Sequence, residues 1–343
     1  MVGLLAARAH DGQRIFALQR SASGARALGG QHSSRTEVLC GDITKPFLGL
    51  TPDCYAEVQA SVTRVLHCAG LTRFSAASKE AEAVNIEGTR RVLDFARGAP
   101  KLACFAHVST TCVAGKRTGT ILESELEHAA GFVNAYEWSK YEAERLVRAA
   151  DIPWSVLRLS TLIGDASGLV RQWNAVHRAV ALVYRGLAPV VPGYAETLVD
   201  LIPDGFAANC VYQVLEGCRP GRTYHICAGA DKSMRLDELL QGTARTIEST
   251  RPGWRKRAIE PPVIVDEATF ELFGETARDV GNVFFVNVYE ALRYFLPQLL
   301  YPKEFDRGET IALVGDEGVA PALGSYWGQI VASCIRTPWN CQR

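Results

Sequence analysis

Six short apolar runs constrain this chain more than any other feature. They are Arg14-Ile15-Phe16-Ala17-Leu18-Gln19, Glu37-Val38-Leu39-Cys40, Val65-Leu66-His67-Cys68, Ala103 to Val108, Trp154 to Leu159, and Tyr224-His225-Ile226-Cys227. Runs this short suit strands buried on both faces of a parallel sheet. Stretches that read as helix lie between them: Tyr55 to Val62, Ala81 to Arg97, and Asn134 to Val147. Residues 2–9 read as the end of a helix that closes near Gly12. Strand and helix in alternation make this an α/β chain.

The helix from Asn134 carries the most chemistry. Asn134 is a good N-cap, and Ala, Glu, Arg and Leu dominate the residues after it. Tyr136 and Lys140 stand four residues apart and share a helix face. An ammonium near a phenol favours the phenolate, so Lys140 is expected to lower the Tyr136 pKa from about 10. That makes Tyr136 a candidate general acid near neutral pH. The same spacing also describes a surface tyrosine beside a surface lysine. The motifs upstream decide between the two.

Upstream stand Leu66-His67-Cys68-Ala69-Gly70, then Asn85-Ile86-Glu87-Gly88-Thr89, then Ala106-His107-Val108-Ser109-Thr110-Thr111. Gly41-Asp42-Ile43-Thr44-Lys45-Pro46-Phe47-Leu48-Gly49-Leu50, Leu157 to Asp165, Asp200-Leu201-Ile202-Pro203-Asp204 and Tyr224 to Gly229 complete the series. From about residue 12 to about 300 the chain resembles the extended short-chain dehydrogenase/reductase superfamily. It looks most like the thioester-reductase and fatty acyl-CoA reductase (male sterility-type) branch. The resemblance implies a Rossmann-type, doubly wound parallel sheet with a small carboxyl-terminal substrate lobe. Residues 1–165 would bind NADP(H), and residues 166–343 would form the lobe, interleaved with the last sheet strands.

The resemblance also implies site residues. Thr110 would be the catalytic hydroxyl, with Thr111 one residue out of step, beside Tyr136 and Lys140. Arg20, at a strand's carboxyl end, would accept the 2′-phosphate of NADPH. Asp42 and Ile43 would hold the adenine, although an Asp here also caps a turn. Cys68, Ala69 and Gly70 would let the backbone approach the cofactor. Asn85 would tie its helix to the neighbouring strand. Lys140 would hold the nicotinamide ribose, and the loop at Ser160 would pass the nicotinamide. His67 reads as a packed strand histidine.

The family's first strand and its Gly-x-x-Gly-x-x-Gly turn have no counterpart before the helix at residues 2–9, and Gly29-Gly30 comes after no buried strand. The missing strand is expected to lie between the runs at 14–19 and 64–68. Its two neighbours would then either stand apart or close up and pair.

Lys+Arg and Asp+Glu are both 37, so no charge bias points to nucleic acid. Ten cysteines lack metal-site spacing and read as reduced thiols of a cytoplasmic protein, with no metal. No apolar stretch is long enough to span a membrane. Glu123, Glu125 and Glu127 read as a solvated face, as do Trp254, Arg255, Lys256 and Arg257.

These features point to an NADPH-dependent reductase of acyl thioesters, giving aldehyde or alcohol, with an acyl-CoA or an acyl carrier protein as partner. Two alternatives stay open: a hydroxysteroid or sugar-nucleotide substrate on the same site, or a binding protein that has lost catalysis.

Overall fold

The computed structural model describes residues 2–8, 12–20, 35–254 and 261–337. The parallel strands fall into two pieces. Ile15–Gln19 pairs with Thr36–Cys40, Ile15 opposite Thr36. The larger piece has the order Arg222–Ile226, Trp154–Leu159, Cys104–Thr110, Arg64–His67, all parallel. Among the described residues no ladder joins Ile15–Gln19 to Arg64–His67. The two strands expected to flank a further one therefore do not close up. A shared core accounts for this. Ile43, Leu48, Val92, Leu93, Phe105 and Val156 are buried in one cluster, with Phe16, Leu18 and Leu39 packed against it. Pairing the two edges would pull each piece off the helices it shares with the other.

Helices cover both faces. Pro52–Ser61, Gly88–Arg97 and Ala135–Arg148 contribute to that first core. On the other face Asp204–Glu216 packs on Cys104, Ala106, Leu157, Tyr224 and Ile226. The expected helix at residues 2–9 is Val2–Arg8, and Gly12 comes soon after with φ +85°. A third core draws its members from Ile163 to Ile335 and is built from helices. Phe270 and Tyr289 pack within it, with ring centroids 5.2 Å apart. Trp327–Arg336 is a helix that buries Trp327, Ile330, Val331 and Cys334 there.

Several expectations are corrected. Glu123 is buried: its carboxylate accepts from His225 N at 2.7 Å and Thr310 Oγ1 at 2.6 Å. Trp254 is buried and donates from Nε1 to Tyr184 O at 2.8 Å. Arg255, Lys256, Arg257 and Gly29-Gly30 lie outside the described residues. Cys104 and Cys218 are not free thiols but a disulfide, with Cα atoms 6.1 Å apart. Folding brings a strand start beside a helix end, which sequence spacing did not reveal.

Candidate active site

Strand alternation sorts the hydroxyls at the end of Cys104–Thr110. Ser109 points to the helix Ala135–Arg148 and donates to Glu144 Oε2 at 2.9 Å. Thr110 points to the opposite face, and Ser109, Thr110 and Thr111 all line a cavity. Thr110 Oγ1 accepts from Cys112 N at 3.2 Å, capping the next turn, and Thr110 shares the cavity wall with Tyr136. Asn134 caps the Tyr136 helix by accepting from Glu137 N at 3.0 Å, as its residue type predicts. Lys140 Nζ donates to Val108 O at 2.8 Å. Thr110, Tyr136 and Lys140 thus meet at the carboxyl end of one strand.

The electrostatics differ from the expectation. Burial pushes the Tyr136 phenol above its ordinary pKa, and nearby Cys112 adds to the shift. Desolvation of the phenolate dominates, and no contribution from Lys140 offsets it. Burial also lowers Lys140 to about 8, partly offset by Glu144. At neutral pH Tyr136 keeps its proton, the state a proton donor needs.

Asn85 sits in a π-helical turn, Glu82–Glu87. Its Oδ1 accepts from Leu71 N at 2.7 Å, and its Nδ2 donates to Leu71 O at 3.0 Å and Ser139 Oγ at 2.8 Å. It therefore joins the loop after Arg64–His67 to the Tyr136 helix. Cys68, Ala69 and Gly70 are exposed, and a Cβ on Gly70 would meet Asn85 Oδ1 at 3.1 Å. His67 is buried; its Nε2 donates to Thr89 Oγ1 at 2.9 Å, because that hydroxyl gives its own proton to Asn85 O.

Asp42 forms a turn, accepting from Thr44 N at 2.9 Å and Thr44 Oγ1 at 2.7 Å. Those bonds hold its pKa below the usual range, with a smaller contribution from Arg20. Arg20 is exposed at the end of its strand. Ile43 is buried under Gly88, where a Cβ would meet its Cδ1 at 2.7 Å. The next loop turns back through Phe47 and Leu48, both left-handed, and Gly49 at φ +74°. Left-handed backbone is costly for residues with a Cβ; burial of Leu48 and the bond from Asp42 N to Leu48 O at 2.7 Å offset it.

Ser160 lines the cavity and donates to Asp200 O at 2.6 Å. Asp200 in turn accepts from Ala228 N and Gly229 N, both at 2.9 Å. Asp204 accepts from Gly164 N at 3.3 Å. The matched Asp200–Asp204 and Leu157–Asp165 segments are thus two loops stitched together at the strand ends.

The cavity holds about 760 Å³. Thr110, Tyr136 and Ser160 line it, together with Val180, Val183, Leu240, Leu292, Leu296 and Trp327. Glu137, Gln298 and Lys303 are also in its wall.

Residues 5–211 match the family model described as Male sterility protein, an NAD-binding domain. The chain belongs to this family. Fatty acyl-CoA reductase wat of Drosophila melanogaster is 26% identical over 205 residues, 51% of this chain and 40% of that protein. The alcohol-forming fatty acyl-CoA reductase of Simmondsia chinensis is 24% identical over 268 residues, 60% of this chain and 54% of that protein. The chain thus spans about half the length of these curated relatives or less. Among solved structures, the terminal R domain of the myxalamid PKS-NRPS pathway superposes with a TM-score of 0.75 at 22% identity, covering 97% of this chain and 86% of that one. It shares the fold.

Sequence reading missed two cavity residues, Glu137 inside the matched male sterility segment and Lys303 beyond it. Glu137 is fully buried, and burial raises its pKa to about 7. Burial lowers Lys303 to about 8. An acidic residue in a first helical turn looks like ordinary dipole pairing. Lys303 lies far along the chain from Tyr136 and in no recognisable motif, so neither residue carried a signal.

Proposed function

We propose that the chain is an NADPH-dependent oxidoreductase that reduces an acyl thioester to an aldehyde or alcohol. The observation that carries this reading is that Thr110 and Tyr136 share the wall of a cavity lined mostly by apolar side chains. An apolar lining suits an acyl chain better than a sugar. The similarity to fatty acyl-CoA reductases supports the same substrate class.

The residues present fit a nicotinamide cofactor: the exposed Cys68-Ala69-Gly70 backbone at a strand end adjoins the buried Asn85 tie. Lys140 and Ser160 would hold its nicotinamide half, Asp42 and Ile43 the adenine, and Arg20 the 2′-phosphate. The cofactor, when bound, supplies hydride. The protein's own part is to hold the thioester carbonyl against the Thr110 and Tyr136 hydroxyls. Both donate to the oxygen as negative charge develops there, and Tyr136 gives up its proton. Lys140 keeps a positive charge close by. Residues 1–165 are the cofactor side of this scheme and 166–343 the substrate lobe; the helical core from Ile163 to Ile335 supports that division. Coenzyme A or an acyl carrier protein would carry the acyl group.

The test is incubation with NADPH and a long-chain acyl-CoA, with product analysis. Aldehyde or alcohol is expected. No product with either NADPH or NADH, from a protein that binds the cofactor, would overturn the reading.

A further inference from the structure

We propose that Glu137, Gln298 and Lys303 form an amide-recognising subsite in the cavity wall, taking an amide group carried a few bonds from the substrate's reacting carbonyl. The proposal rests on the acyl-thioester reading and adds a polar determinant to it.

The three side chains come from distant parts of the chain. Glu137 Oε1 accepts from Gln298 Nε2 at 2.8 Å and Asn134 Nδ2 at 3.2 Å; Oε2 accepts from Val133 N at 2.9 Å. Lys303 Nζ donates to Gly115 O at 2.7 Å and Gln298 Oε1 at 2.8 Å. A carboxylate has about four acceptor positions and an ammonium three donors. Among the described residues, one acceptor on Glu137 and one donor on Lys303 therefore remain.

The two charges do not pair directly among the described residues; the Gln298 amide stands between them. Direct contact is what would best offset the cost of burying both. A spacer amide instead holds an acceptor and a donor apart at a fixed separation. When both are ionised their charges cancel, which disfavours an anionic or cationic ligand and favours a neutral dipole. A peptide-type amide fits, offering N–H to Glu137 and C=O to Lys303. Cys112 links the subsite to the reacting centre: its backbone N donates to Thr110 Oγ1 at 3.2 Å, and its thiol feels the charges of both Glu137 and Lys303. The amide would therefore sit near the reacting carbonyl.

Such an amide has two sources: the pantetheine arm on the thiol side, or an amidoacyl group on the acyl side. Calorimetric titration of the full chain with unreactive thioethers separates them. The probes are S-octyl-N-acetylcysteamine, a methylthio-N-octylacetamide, and an alkyl sulfide with methylenes in place of the amide. The wild type should bind one amide about tenfold or more tighter than the sulfide, the scale of a buried hydrogen bond to a charged group. The tighter amide identifies the source. Lys303→Met should reduce the preference to about threefold or less, and Glu137→Gln, which keeps a weaker acceptor, should fall between. Equal binding of amides and sulfide by the wild type overturns the proposal. So does a variant that weakens all three probes equally, which would mark the cluster as purely structural. If neither variant folds, the wild-type comparison decides alone. Amide preference in a protein that reduces no thioester would instead sink the proposed reaction and leave the subsite standing.

Discussion

The two pieces of the sheet are made of the same kind of strand but are held in different ways. The four-stranded piece is fastened by buried polar groups. Glu144, fully buried, accepts from Ser109, from Arg148 Nε at 3.0 Å and from Arg158 Nη2 at 2.6 Å. Arg158 Nη1 also donates to His225 Nε2 at 3.1 Å, which leaves His225 Nδ1 to donate to Asp306 O at 2.6 Å. Burial first, and then the charge of Arg158, lowers His225 to about 3, consistent with that neutral tautomer. The disulfide Cys104–Cys218 belongs to this piece too. The two-stranded piece has its ladder, the shared apolar core and a surface pair, Arg14–Glu37 at 2.9 Å. The difference matches the proposed chemistry. In the proposed reaction Thr110, Tyr136 and Lys140 must be placed to a fraction of an ångström, and theirs are the strand and helix that are cross-braced. In the same proposal Arg20 has only to meet a charged group at the surface.

Glu144→Ala should do the most damage, because it strands Arg158 in the interior. It should cost about 3–5 kcal/mol of unfolding free energy, read by urea denaturation. A loss under about 1 kcal/mol would show that the polar brace is not what distinguishes the two pieces. Tyr136→Phe should lower turnover by about 10²-fold or more with the melting temperature unchanged. A large fall in melting temperature would recast the tyrosine as part of the brace.

Next comes pH. Lys140 titrates near 8 when folded, below its unfolded value of about 10.4. Between those values the unfolded chain binds more protons, so this residue makes stability rise with pH across that window. Below about 8 the charged, buried lysine costs stability throughout. Lys140→Met should flatten that rise, measured as melting temperature against pH; an unchanged slope would assign it to other groups. Activity should move the opposite way, falling as Lys140 loses its charge.

Arg20→Ala should weaken NADPH binding about tenfold, the scale of one charge-assisted contact, while sparing NADH. Equal loss with both cofactors would show that Arg20 does not read the 2′-phosphate. The mildest change is expected from Arg14→Ala, under about 1 kcal/mol, because its partner is half exposed. A loss comparable to that of Glu144→Ala would erase the contrast between the pieces.

Local sequence was enough to specify the strands, and the Tyr136 helix with its cap. Each is written in near neighbours: apolar runs, and an Asn before a helix former. The tie made by Asn85 came from the family resemblance. The family's motif spacing points to Thr110 within Ser109-Thr110-Thr111, whereas all three residues line the cavity. The remaining features were set only when the chain folded. Glu123 looked solvated because nothing nearby in sequence announces Thr310 or His225 as partners. Cys104 and Cys218, 114 residues apart, meet only when the strand and helix pack. The Tyr136 pKa rises because burial depends on the whole fold, whereas the four-residue spacing to Lys140 reports only a neighbour. Glu137 and Lys303 meet across a glutamine from a third segment. Local pattern specifies backbone conformation; solvation and long-range partners are set by what the folded chain places around each group.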